Sequence, residues 1–166
     1  TGTDSGSAFT GGSGDDTFDA ALVSSIATLN NLDSLDGGSG NDTLNVELNG
    51  VNRVPLALKS IETINVTSST GASTLDLSHS TGLTNLNNVS SLTDLTINNL
   101  QSLSTVIAVS DTARFTTIDV TNTAVTGASD TLNVTLTNVV ATNDGTADLT
   151  VDASVETLAL TVQNSN

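Results

Sequence analysis

The chain has no cysteine, tryptophan or tyrosine, and only three phenylalanines, one proline and one histidine among its 166 residues. Without cysteine there is no disulfide, no zinc–thiolate site and no thiol nucleophile. Small extracellular domains often rely on disulfides, so a secreted form of this chain needs another staple. Aromatics are 2% of residues, too few rings for a conventional core or for a sugar- or base-stacking site. Positive charge is equally scarce. Arg53, Arg114 and Lys59 stand against 18 acidic residues, for a net charge of -15. Phosphate neutralisation needs clusters of Lys and Arg, so nucleic-acid partners are not expected. No stretch approaches the roughly 20 apolar residues of a membrane span, so membrane insertion is not expected either. No signal peptide is visible and the chain begins with Thr1, which reads as a processed form or a fragment.

What is present points to strands. Hydrophobic residues are 36%, almost all Leu, Val, Ile and Ala. Thr, Ser and Asn together make up roughly two-fifths of the chain, far above an average domain. The mixture is poor in helix formers and rich in β-branched residues, which suit a pleated, half-buried surface. The length suits one domain, or one compact segment of something larger.

The first section, residues 1–48, is rich in Gly and Asp and contains a nine-residue pattern twice. One copy is Gly11-Gly12-Ser13-Gly14-Asp15-Asp16-Thr17-Phe18-Asp19. The other is Gly37-Gly38-Ser39-Gly40-Asn41-Asp42-Thr43-Leu44-Asn45. Both read Gly-Gly-x-Gly-x-Asp-x-apolar-x. Nine residues before Phe18 stands Phe9, in a degraded copy with Ser7 in the Asp position. Nine before Leu44 stands Leu35, where Asp33 keeps the Asp position without the glycines. Residues 20–31 interrupt the series and read as a loop or a single helical turn.

The second section, residues 49–166, loses the glycines and keeps a strand phrase. Asp42-Thr43-Leu44-Asn45-Val46 returns as Glu62-Thr63-Ile64-Asn65-Val66, Ser73-Thr74-Leu75-Asp76-Leu77 and Thr116-Thr117-Ile118-Asp119-Val120. It returns again as Asp130-Thr131-Leu132-Asn133-Val134 and Glu156-Thr157-Leu158-Ala159-Leu160, with shorter versions at Leu95–Ile97 and Leu149–Val151. Apolar and polar residues alternate in each, as in a half-buried strand. Turn signals at Asn49-Gly50, Gly71, Gly82, Gly127 and Asn143-Asp144-Gly145 separate them. Short strands recurring at such intervals point to a solenoid, whose coils bury a shared aliphatic interior only when stacked. A hairpin-based sandwich is the rival, since Asn-Gly and Asp-Gly also suit hairpins. The expected fold is all-β: a right-handed parallel β-helix beginning with a β-roll section over 1–48 and continuing irregularly over 49–166.

The two nonapeptides resemble the RTX family, the calcium-binding β-roll of proteins exported by type I secretion. The likeness covers about the first 45 residues. It implies that six residues of each motif form a turn and three a short strand, that two motifs make one coil, and that Ca2+ sits between turns stacked on one side. The phrases Asp33-Ser34-Leu35-Asp36-Gly37-Gly38 and Ser60-Ile61-Glu62-Thr63-Ile64-Asn65-Val66 further resemble RTX-bearing S-layer and large surface proteins of Gram-negative bacteria.

The resemblance gives a site. Asp16 and Asp42 would share one calcium with carbonyls from Gly11, Gly12, Ser13, Gly14, Gly37, Gly38, Ser39 and Gly40. The chemistry is suitable, since calcium takes six to eight oxygen ligands and glycine lets consecutive carbonyls turn toward one centre. On the opposite side Asp33 would hold a second calcium with Asp4 or with carbonyls, in a site that departs from the pattern. Asp130, in Gly127-Ala128-Ser129-Asp130, is a weaker metal candidate that a plain polar turn explains as well. Glu62 and Glu156 read as strand-edge acids, and Asp144 and Asp148 as weak candidates at a turn. His79 has no Cys and no Gly-x-Ser-x-Gly elbow to work with, and reads as an exposed strand-end His.

The functional expectation is non-enzymatic: a calcium-dependent structural unit of a secreted bacterial surface assembly, an S-layer or a filament. Its partners would be other copies of the chain and a cell-surface polysaccharide, and its location extracellular or at the cell surface. The alternatives are the rod of a large RTX adhesin and the accessory calcium-binding domain of a type I-secreted enzyme. Ice binding needs a flat Thr array, and the outward positions Asn45, Asn65, Asp76 and Asn133 are not Thr.

Overall fold

The structure, a computed structural model, describes residues 8–111, 116–121, 123–127, 129–139 and 149–164. Among the described residues there are sixteen strands and no helix, numbered β1 to β16 in chain order. They form three sheets. A four-stranded sheet takes β1 (Ala8–Thr10), β3 (Ser34–Asp36), β6 (Ala57–Lys59) and β9 (Ser80–Thr81). A seven-stranded sheet runs β2 (Thr17–Ala20), β4 (Thr43–Leu48), β7 (Thr63–Ser68), β10 (Asn85–Val89), β12 (Val106–Ser110), β14 (Thr131–Thr137) and β16 (Thr157–Gln163). A five-stranded sheet takes β5 (Asn52–Arg53), β8 (Ser73–Asp76), β11 (Leu95–Leu100), β13 (Thr116–Val120) and β15 (Leu149–Val151).

Every pairing between these strands is parallel. The one antiparallel contact among the described residues is a bridge between Val23 and Ile26. The protein is therefore a parallel β-helix and not a hairpin sandwich. The coils β3–β5, β6–β8 and β9–β11 give one strand to each sheet. Among the described residues the first sheet has no strand after β9, and β12–β13 and β14–β15 belong to the other two. The seven-stranded sheet passes without a break from the Gly-rich section into the rest, since β4 pairs with β7 from Thr43↔Thr63 to Leu48↔Ser68.

The alternation in the sequence sets the core. Along β4 and β7 every second side chain is buried. Because pairing is in register, inward residues stack into files, and one runs Phe18, Leu44, Ile64, Leu86, Ile107, Val134, Leu160. Burying each Leu, Ile or Val side chain contributes about 1.5–3 kcal/mol, so stacked aliphatics replace the missing aromatics. Outward residues stack as well. The side-chain amides of Asn45, Asn65 and Asn87 donate in turn to Asp19, Asn45 and Asn65 at 2.7, 2.8 and 2.8 Å. Asn45 and Asn65 each receive from the coil on one side and donate to the coil on the other.

The corner after the seven-stranded sheet is turned by residues in the left-handed region. Ser90, Asp111, Asn138 and Asn164 have φ between 50° and 54°. Small polar side chains tolerate this conformation best among non-glycine residues. Asn138 and Asp111 are also joined across coils, the amide donating to the carboxylate at 2.9 Å. The interruption at 20–31 is a loop, closed by the Val23–Ile26 bridge with Ser24 and Ser25 at positive φ.

Candidate metal site

The turns 11–16 and 37–42 lie one above the other, between the four-stranded and seven-stranded sheets. Strands flank them on both sides, with Phe9 paired to Leu35 and Phe18 to Leu44. The nine-residue spacing thus sets two consecutive strands of one coil. Five hydrogen bonds donated by backbone N–H groups join the stacked turns. Gly11 N–H donates to Asp36 O at 2.8 Å, Ser39 N–H to Gly12 O at 3.1 Å, and Thr43 N–H to Asp16 O at 2.9 Å. The fourth uses a side chain as acceptor: Asp16 N–H donates to Asp42 Oδ1 at 2.7 Å. Asn41 N–H likewise reaches Asp15 Oδ1 at 2.8 Å.

Glycine is required here by space. A Cβ on Gly11 would lie 2.2 Å from Gly37 O and 2.6 Å from Asp16 Oδ2. A Cβ on Gly37 would lie 1.9 Å from Ser60 O and 2.3 Å from Asp42 Oδ2. Gly38 and Gly40 have φ of 95° and 127°, and their missing Cβ positions face Gly12 O and Gly14 O. Backbone oxygens of Gly12, Gly14 and Gly37 are thereby packed into the contact between the turns.

The two acids differ. Asp16 is partly exposed, and its Oδ2 accepts the Gly12 N–H at 2.5 Å. Asp42 is 0% exposed, and its Oδ2 is buried without a hydrogen-bond partner. A buried carboxylate oxygen left unpaired carries a desolvation cost that a bound cation removes. No group of three His, Cys, Asp or Glu side chains converges among the described residues. A cation at these turns would therefore take most of its ligands from backbone carbonyls. The residues present suit a hard, oxygen-seeking ion such as calcium.

The other candidates lie apart. Asp33 is buried, and it caps its own loop. Asn30 N–H and Asn30 Nδ2 donate to its two carboxylate oxygens at 2.8 and 3.0 Å. Its carbonyl receives Leu56 N–H, tying the loop to the next coil. Asp33 is thus separate from the Asp16–Asp42 turns. Asp4, Ser7, Arg114, Asp144 and Asp148 lie outside the described residues. Asp130 N–H donates to Glu156 Oε2 at 3.0 Å, and Asp130 Oδ2 is buried without a partner.

Glu62, read from the sequence as a strand-edge acid, has a larger place. Asp42 N–H donates to Glu62 Oε2 at 2.7 Å. Asp16, Asp42 and Glu62 thus form one column in which the Asp42 and Glu62 carboxylates each receive the backbone N–H of the acid one coil earlier. The signal was present in the repeated position before Thr63, but the absent glycines masked it.

A second acidic pair stands on the five-stranded sheet. Ser154 Oγ and N–H both donate to Asp152 at 2.7 Å and hold its carboxyl down to about 2. Asp119 is pushed up by desolvation, and then by its hydrogen bond and charge repulsion with Asp152. On the same sheet Thr74, Thr96, Thr117 and Thr150 form one file, beside a file that holds Asp76 and Asn98. That array is one threonine wide.

His79 Nδ1 lies 3.1 Å from the Pro55 carbonyl, which only accepts, so that nitrogen carries the proton. The exposed ring fastens one coil to the next. Lys59 donates to Asp36 at 2.6 Å in the four-stranded sheet, and this hydrogen bond holds the Asp36 carboxyl below its ordinary range. Comparison with protein-family models, with curated proteins and with solved structures gives no match.

Proposed function

We propose that this chain is a calcium-dependent structural segment of a secreted bacterial surface assembly, an S-layer or a filament, and that it is not an enzyme. The observation that carries the calcium part is the stacking of two glycine-built turns, with Gly37 O and the Asp16 carboxylate against the bare face of Gly11 and the wholly buried Asp42 holding the Asp16 N–H. The resemblance of both turns to the RTX motif supports the same ion and export by type I secretion. Calcium bound only by the folded form adds its binding free energy to stability and supplies the staple that cysteine does not. Low calcium inside the cell would keep the chain unfolded for export, and higher calcium outside would fold it.

Self-association is supported by β16. All seven of its residues are exposed, with Leu158, Leu160 and Val162 at 41%, 46% and 53%. A further coil, from another copy or from more of the same polypeptide, would cover them. The adhesin-rod reading shares the fold and predicts a monomer. Sedimentation in millimolar calcium separates the two, because strictly monomeric behaviour at high concentration contradicts a lattice. The calcium reading is tested by titration followed by circular dichroism. Strand signal should rise with calcium and fall on chelation, and the Asp16→Ala, Asp42→Ala double variant should stay in the chelated state. A signal indifferent to chelation, with no metal bound, overturns it.

A further inference from the structure

The gap between the first two stacked turns carries a definite arrangement. Asp16 Oδ2 and Gly37 O crowd the bare face of Gly11, and Asp42 Oδ1 takes the Asp16 N–H. The next gap repeats it. Asp42 Oδ2 and Ser60 O crowd the bare face of Gly37, and Glu62 Oε2 takes the Asp42 N–H. The sequence marks this only by the acid that Glu62 keeps before Thr63, since Lys59-Ser60-Ile61-Glu62 has no glycine and no Asp. The geometry survives by two substitutions. Ser60 adopts φ of 49°, the left-handed region usually left to glycine, and places its carbonyl against Gly37. Glu62, one methylene longer than Asp, reaches back to the Asp42 N–H from a shorter turn.

The second gap also contains what the first does not. In the first, Asp16 Oδ2 is hydrogen-bonded to Gly12 N–H. In the second, Asp42 Oδ2 is buried and has no donor, and the neighbouring Ser60 O is another acceptor. Two acceptors and a second carboxylate meet there. Among the described residues no Lys or Arg pairs with Asp42 or Glu62. The nearby Lys59 ammonium is bound to Asp36. An oxygen-lined position with net negative charge and no donor is matched to a hard cation.

We propose that a second divalent cation, calcium in its chemistry, binds in this gap through Asp42 Oδ2, the Ser60 carbonyl and the Glu62 carboxylate. The proposal rests on the reading of these turns as cation-binding and extends it to a coil that lacks the motif. Asp42 then serves two ions, one on each side. The second site has fewer turn carbonyls than the first, so water completes its shell and its affinity is the lower of the two.

The test is calcium stoichiometry on the full chain, by calorimetry and native mass spectrometry, for the wild type, Glu62→Gln and Asp16→Asn. Gln retains an oxygen for the Asp42 N–H. Glu62→Gln should lose one calcium per chain and keep the tighter one. Asp16→Asn should lose or weaken the tighter one and keep the other. If Glu62→Gln binds as many ions as the wild type with unchanged affinities, this proposal is overturned while the first site stands. If Asp16→Asn changes nothing and Glu62→Gln loses an ion, the first site fails and this one stands. A measurement needing no variant is the Glu62 carboxyl 13C resonance of the wild type. It should shift on saturation with calcium, and an unmoved resonance also overturns the proposal.

Discussion

Asp42 accepts the backbone N–H of Asp16 through one carboxylate oxygen, at 2.7 Å, and leaves the other buried and unpaired. One side chain therefore both joins two coils and carries an unmet demand for positive charge.

Replacing Asp42 by Asn should act in opposite directions with and without calcium. The Asn oxygen still accepts the Asp16 N–H, and its amide gives Ser60 O a donor. In chelator Asp42→Asn should be more stable than the wild type by about 1–3 kcal/mol, the cost of an unsatisfied buried polar group. In millimolar calcium it should be less stable. Denaturant melts under both conditions check the sign reversal, and equal shifts in both would contradict it.

Two glycines of similar sequence context should respond differently to Ala. Gly37→Ala places a Cβ 1.9 Å from a backbone carbonyl that cannot swing aside, and should cost about 3 kcal/mol or more. Gly14 has nothing within 4 Å of its Cβ position. Gly14→Ala should be neutral or stabilising by up to about 1 kcal/mol through the unfolded chain. Thermal denaturation in chelator compares them without the metal.

The amide file predicts a penalty for charge at its centre. Asn65 donates to Asn45 and accepts from Asn87. Asn65→Asp keeps the acceptor and sets a carboxylate against Asn45 Oδ1, so it should cost about 1–2 kcal/mol at neutral pH. The cost should shrink as acid restores a donor to the carboxyl. A pH-independent loss of stability would refute the file as the cause.

Acid stability should reflect Asp152. Its carboxyl titrates at about 2 in the folded chain against an ordinary 3.8. A lowered folded value means that the ionised group favours folding. This contribution is complete above the ordinary value and is lost as pH falls through about 2. Asp119, shifted upward, works in reverse, and its penalty disappears as pH falls. Removing both Ser154 hydroxyl and its hydrogen bond by Ser154→Ala should bring Asp152 back toward 3.8, read from its carboxyl 13C titration. A value still near 2 would place the cause elsewhere.

The solenoid was legible because Leu44, Ile64 and Leu86 each sit in an alternating stretch, and alternation needs no knowledge of the partner strand. Besides the short β5, β6 and β9, the longer strands β10 and β12 escaped the phrase. In β10, Asn85-Leu86-Asn87-Asn88-Val89 puts an amide on the inward face, where Asn88 is buried and donates to Thr116 Oγ1 at 2.8 Å. In β12 the run Val106-Ile107-Ala108-Val109 is apolar on both faces. The phrase also misplaces one coil. Asp130-Thr131-Leu132-Asn133-Val134 resembles Asp42–Val46, yet Val134 and not Leu132 aligns with Ile107. The slip is two residues, which leaves the inward face unchanged and so goes unseen in the pattern. At the site, the glycine spacing revealed the stacked turns, whereas Ser60 and Glu62 act through backbone conformation and reach, which residue identity does not display.

Parallel pairing throughout the three sheets has a mechanical consequence. Hydrogen bonds between coils run along the solenoid axis, so tension applied to the two ends loads them one row at a time, like a zip fastener. Successive paired residues in the seven-stranded sheet are 20 to 27 positions apart. Each coil that yields releases about 70–95 Å of extended chain. The molecule is thus an extensible element that lengthens in steps while its remaining coils stay folded. Ions bridging the column of Asp16, Asp42 and Glu62 would clamp the coils at the Gly-rich end, so extension under load would begin at the opposite end.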